Sequence, residues 1–217
     1  MKKTLYSLML SDDVIREIDL LAHRRGTNRS NLVNQILAEH VKLRTPEQRV
    51  GDIFSEIEEL MSASQIVPQV TAGAPSMALR SCLEYKYRPT VRYEVELYPT
   101  VRNGTIGSLS VVYRTQSSAL AGVLTQFFAL WSRVEKKYLP LEESYLIEDG
   151  RFSRTLHYPT ANGSEKNELT AKELAQVISD YIRLFDKLLK GYVAGNISPD
   201  EVAAQYAVEL ENRNILI

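Results

Sequence analysis

Apolar residues recur along this chain with two periods, and the change from one period to the other marks out its elements. Residues 4–10 read TLYSLML. As a strand, this segment puts Tyr6, Leu8 and Leu10 on one face and Leu5, Ser7 and Met9 on the other. One face is apolar and the other mostly so, which leaves the strand in need of a partner. The period then lengthens. Ser11 reads as an N-cap, Asp12 and Asp13 fill a first turn, and Val14, Ile18, Leu21 and Ala22 form one helical stripe. His23, Arg24 and Arg25 fill the last turn, and Gly26 closes it in the left-handed position. Asn28 reads as the cap of a second helix carrying Leu32, Val33, Ile36, Leu37, His40 and Val41, which ends near Arg44, before Pro46. A strand and two helices in about 43 residues are too few to enclose a core, so this head must dimerise or lean on the rest of the chain.

The longer remainder predicts an α+β domain. A third helix is expected over 47–62, on the stripe Val50, Ile53, Phe54, Ile57, Leu60 and Met61. Residues 63–76, with two Pro and a Gly, read as a linker or irregular loop. Strands follow. Leu83, Tyr85 and Tyr87 alternate with Glu84, Lys86 and Arg88, and Val91, Tyr93, Val95 and Leu97 alternate with Arg92, Glu94 and Glu96. Asn103-Gly104 signals a hairpin leading into a strand over 106–115. A long apolar helix is expected over 117–138, and a second hairpin over 143–158, turning at Glu148-Asp149-Gly150. Asn162-Gly163 reads as a loop, and helices are expected over 170–193 and 198–213, the last capped by Ser198 with Pro199 in its first turn. The expected organisation is a head (1–45), a connecting helix and linker (46–76) and an α+β domain with an antiparallel sheet and long helices (77–217).

Composition alters this picture little. At 217 residues, 44% hydrophobic and 24% charged, the chain is an ordinary globular protein. One cysteine, Cys82, rules out an internal disulfide framework. No apolar run approaches about 18 residues, and Asp12, Asp13 and Arg16 interrupt the first apolar stretch too early for a signal peptide, so the cytoplasm is expected. Charge adds one distinction. Residues 1–50 hold nine Lys/Arg against six Asp/Glu, a net +3, whereas the remainder holds 17 against 21, a net −4. A basic head on an acidic body fits nucleic-acid binding by the head.

Catalytic and metal signatures are missing. The sequence has no glycine-rich dinucleotide fingerprint, phosphate loop, nucleophile elbow or zinc-protease motif. His23, His40, His157 and Cys82 fall at no ligand spacing. The carboxylate pairs Glu142-Glu143 and Glu148-Asp149 are adjacent residues whose side chains diverge, which suits a solvated surface. The reading is therefore not an enzyme, with no cofactor and no metal. Eleven of twelve tyrosines lie after residue 80. A sheet with Tyr on one face and Lys86, Arg88, Arg92 and Arg114 on the other suits either plain packing or a small-ligand pocket. The apolar side of Leu174, Ile178, Ile182, Phe185 and Leu189 is wide enough for a core and an oligomer contact.

Residues 4–43 resemble the ribbon-helix-helix DNA-binding proteins of the Arc, MetJ and CopG type. The resemblance is carried by the TLYSLML strand, Ser11-Asp12-Asp13, the Val14/Ile18/Leu21 stripe, Gly26-Thr27-Asn28-Arg29-Ser30, and Leu32-Val33 followed by Ile36-Leu37. It covers about a fifth of the chain. It implies an intertwined homodimer or higher oligomer, whose paired strands enter the major groove of double-stranded DNA and read a palindromic operator as a transcriptional regulator of the repressor kind. The base-reading face would be Leu5, Ser7 and Met9. Phosphate contacts would come from Lys2, Lys3 and Thr4, and from Asn28, Arg29 and Ser30 at the start of the second helix. Arg24 and Arg25 stand near enough to be further candidates. The sequence departs from the family pattern at the outward positions, where two of three residues are apolar rather than polar readers. Specificity would then lean on DNA shape, or the ribbon would face a protein. The alternative reading is an antitoxin-like interaction module whose C-terminal domain binds a partner protein; a small-molecule effector of that domain is the other open role.

Overall fold

A computed structural model describes residues 5, 7–41, 45–62, 64–70, 75–86, 88–139, 145–158 and 169–212. It is a mixed α+β protein of six helices and one six-stranded sheet among those residues. The helices are α1 (Asp12–Arg24), α2 (Arg29–His40), α3 (Pro46–Met61), α4 (Ser118–Tyr138), α5 (Ala171–Val193) and α6 (Pro199–Asn212). The strands are β1 (Val67–Val70), β2 (Ser76–Cys82), β3 (Thr90–Arg102), β4 (Thr105–Tyr113), β5 (Tyr145–Glu148) and β6 (Arg151–His157). All neighbours run antiparallel, in the order β1-β2-β3-β4-β6-β5.

Local chemistry sets the element ends. Thr45 and Gln48 form a reciprocal capping box at the start of α3, with Pro46 in its first turn, and Thr170 and Glu173 do the same for α5. Ser117 accepts from the Leu120 N–H at 3.3 Å and Ser198 from the Glu201 N–H at 3.3 Å. Asn103 and Gly104 both take positive φ, +50° and +80°, which matches the twist of the β3–β4 hairpin. Gly107 sits beside a register shift, and a Cβ there would lie 2.0 Å from the Glu96 carbonyl oxygen, so no other residue fits.

One face of the sheet is buried under α3, α4 and α5, and α6 packs against α4 and α5. Phe185 of α5 lies at the centre, its ring packed against those of Tyr93, Phe127, Phe128, Trp131 and Phe152. Several polar groups in this core are paired with one another. Arg154 Nη1 reaches Glu135 Oε1 at 2.5 Å with both side chains fully buried, and its guanidinium lies 4.8 Å from the Tyr181 ring centroid. Trp131 Nε1 donates to Tyr181 Oη, and Tyr93 Oη donates to Asp186 Oδ1, each at 2.9 Å. Burial pushes the Glu135 carboxyl up from its ordinary range, against the pull of Arg154, and pushes the Tyr93 and Tyr181 hydroxyls well up. The opposite face carries Arg92, Glu94, Ser108, Arg151 and Ser153, with Glu94 between the two arginines at 3.3 and 3.5 Å.

Several expectations change. Among the described residues no strand precedes α1: Leu5 and residues 7–10 have no regular structure, so α1 is the first described element. The alternation at 83–88 is not a strand, because the chain doubles back there, with Leu83 N–H bonded to the Pro89 carbonyl and Arg88 at φ +45°. Tyr85 is accordingly exposed, while Tyr93 and Tyr113 do face the core. The stretch read as loop at 63–76 holds β1 and the start of β2, whose antiparallel pairing outweighs Pro68 on an edge strand. Cys82 ends β2 in the open. The wide apolar side of α5 is spent inside the chain. The Asn162-Gly163 loop, Tyr6 and Tyr87 lie outside the described residues.

Candidate nucleic-acid interface

The basic head reduces, in the described residues, to α1, a tight turn and α2 packed against each other. Ser11 holds the N-cap position of α1, but its side chain makes no capping bond; the dipole is met instead by Asp12 and Asp13. Gly26, at φ +62°, ends the helix, and the Thr27 N–H bonds back to the Ala22 carbonyl at 3.0 Å. Asn28 then caps α2, its side-chain oxygen accepting from the Asn31 N–H at 2.9 Å.

Arg29 opens α2 but does not reach into solvent alone. Its Nε donates to Asp19 Oδ1 at 2.7 Å and its Nη2 to Asp19 Oδ2 at 2.5 Å, a two-pronged pair joining α2 to α1. The pair is about half exposed, 51% for Arg29 and 46% for Asp19. The Arg29 hydrogen bonds hold the Asp19 carboxyl below the usual carboxylate range. Ser30, Arg24 and Arg25 are exposed around the same turn. The structure therefore gathers Asn28, Arg29 and Ser30, with Arg24 and Arg25, at one end of the helix pair. Asp19 is the residue that sequence reading missed; ten positions separate it from Arg29, and no helical spacing links them.

Leu5, Ser7 and Met9 are exposed, Leu5 at 97% and Met9 at 100%, without the strand that would set them on one face. Lys2, Lys3 and Thr4 lie outside the described residues. The two helices also keep apolar side chains in solvent: Val14 and Leu20 on α1, Ile36 and Leu37 on α2, and Val41 beyond it. Only Ala22, Leu32 and Ala38 are buried in this pair. A gap of about 720 Å³, lined by Gly26, Ile36, Gln48, Phe54 and Pro99, separates the pair from the body. Among the described residues, no three His, Cys, Asp or Glu side chains come together as a metal site would require, and no helix is long and apolar enough to cross a membrane. Compared with known proteins, the chain matches no family model, no curated protein and no solved structure.

Proposed function

We propose that the protein is a homodimeric, sequence-specific DNA-binding regulator whose first ten residues pair with those of a second copy. The observation that carries this reading is the unsatisfied head. An apolar strand sequence, whose described residues Leu5 and 7–10 pair with no strand, precedes two helices, and Leu8, Leu10, Val14, Ile36 and Leu37 stand in solvent. Two antiparallel copies of the strand would satisfy each other's backbone and cover those side chains with four helices. The capped start of α2, with Asn28, Arg29 and Ser30, then stands where phosphates flank a major groove filled by the ribbon. The exposed Leu5 and Met9 favour one competing use, contact with a protein partner rather than with bases.

A titration separates the two. Full-length protein is mixed with DNA flanking its own gene, with random DNA as competitor, over a salt series. Regulator behaviour is a preference of about a thousandfold or more for one palindromic site and affinity that falls steeply with salt. Equal affinity for random DNA removes the regulator reading and leaves the apolar ribbon as a protein contact.

A further inference from the structure

The face of the sheet turned away from α3, α4 and α5 gathers arginines at one end. Along β2 and β3 the buried Leu79 and Ser81, and Val91 and Tyr93, alternate with Arg80 and Arg92, which stand exposed on the open side. Arg80 and Arg92 are register partners. Side chains directly opposed across an antiparallel pair have Cβ atoms about 5 Å apart, and like charges there work against the sheet. Arg92 pairs in turn with Val112 of β4, and Arg114, also exposed, stands two residues beyond Val112. Arg151 of β6 continues the row on the other side of Val112.

Carboxylates offset this charge only in part. Glu94 is held between Arg92 and Arg151 at 3.3 and 3.5 Å, one acid for two bases. Glu148 pairs opposite Arg151 at the edge of the sheet, and Glu96 lies four residues along β3 from Arg92. Arg80 and Arg114 form no ion pair among the described residues. An opposed arginine pair gains nothing from the fold, whereas an anion laid across it would relieve both charges. The geometry points to a phosphate-binding surface on which Arg80, Arg92 and Arg114, with Arg151 beside them, receive the backbone of duplex DNA. An open sheet face suits an extended polyanion better than a small anion, which needs enclosure. The arginines' neighbours in register, Ala78, Cys82, Thr90 and Val112, include no aromatic ring on which an unpaired base would stack. A duplex keeps its bases hidden, and contacts to its phosphates carry no sequence information. The choice of DNA rests on the reading of the head as a DNA-binding element; the arginine cluster does not.

Fluorescence anisotropy of the full chain with a labelled random-sequence duplex, over a salt series, tests it, with oligo-dT of the same length for comparison. The triple variant Arg80→Gln, Arg92→Gln, Arg114→Gln should flatten the plot of log affinity against log salt by about two to three ions and weaken binding at low salt by about tenfold or more. Glu94→Gln, which releases Arg92 and Arg151, should steepen the same plot by about one ion and tighten binding. Neither variant should change the preference for a palindromic site over random DNA. Should the triple variant misfold by circular dichroism, the near-isosteric Glu94→Gln decides. Failure of the random duplex to bind, a salt slope that the deciding variant leaves unmoved, or oligo-dT bound more tightly than the duplex overturns the surface. Random-duplex binding that responds to these variants without any preference for a palindrome supports it, and overturns the sequence-specific role of the head instead.

Discussion

The head and the body follow the same helical hydrophobic pattern and treat it in opposite ways. In the body, the stripes of α3, α4 and α5 are buried almost entirely, against the sheet and against each other. In the head, α1 and α2 bury three residues between them and leave Val14, Leu20, Ile36 and Leu37 between 41% and 51% exposed. Amphipathic spacing states that a helix has an apolar side; it does not state which chain supplies the cover. The body is large enough to be its own cover. About 35 residues of helix and turn are not. The contrast predicts that stability should be a property of the single chain in one region and of protein concentration in the other.

The largest effect should come from the body's centre. Phe185 meets six other aromatic rings and is fully buried. Phe185→Ala should cost about 3–5 kcal/mol, through lost transfer energy and the cavity left behind. Denaturant unfolding should show this loss equally in dilute and concentrated samples. A loss that shrinks with concentration would mean that the body, too, is stabilised by a second chain.

The head should answer in the opposite sense. Leu10→Asp with Ile36→Asp places carboxylates on the surface assigned to the second copy. Dimer association should weaken by about a hundredfold, roughly 2.7 kcal/mol, as read by sedimentation equilibrium. The denaturation midpoint of the body should not move. If the parent protein sediments as a monomer at every concentration, the intertwined head is wrong and the apolar surface has another occupant.

What the sequence made legible divides along the same line. Body elements were readable to within a few residues because their signals are local: Asn103-Gly104 for one hairpin, Gly150 for the other, Thr170 with Glu173 for the start of α5. The sequence Thr45-Pro46-Glu47-Gln48 is an equally plain capping box, yet it places α3 one residue earlier than the apolar stripe alone suggests. Errors arose where long-range pairing overrides local pattern. Leu83, Glu84 and Tyr85 alternate as a strand should, but β2 is already paired from Ser76 to Cys82, and the chain must turn to reach β3. The stretch at 4–10 is the converse case: its alternation is strong, yet its described residues, Leu5 and 7–10, pair with no strand. The Asp19–Arg29 pair, and the hydrogen bonds that Arg49 and Tyr158 make to the Leu169 backbone, join residues ten or more positions apart, and only the fold brings them together.

The smallest effect concerns that Asp19–Arg29 pair, which sharpens the comparison at one side chain. If the start of α2 is a phosphate clamp, Asp19 competes with DNA for Arg29. Asp19→Asn should then raise affinity for random DNA and steepen its salt dependence by about one counterion, and Arg29→Ala should flatten it by about as much. Acid should act in part as Asp19→Asn does. The Asp19 carboxyl lies below its ordinary value in the folded head, so the pair supports the α1–α2 junction above the unfolded value of about 3.9. That support is lost as pH falls through the lowered folded value, and the exposure of both partners keeps it modest. A salt slope unmoved by either substitution would leave Arg29 as a tie within the head, with phosphate contact falling to Ser30, Arg24 and Arg25 around the same turn.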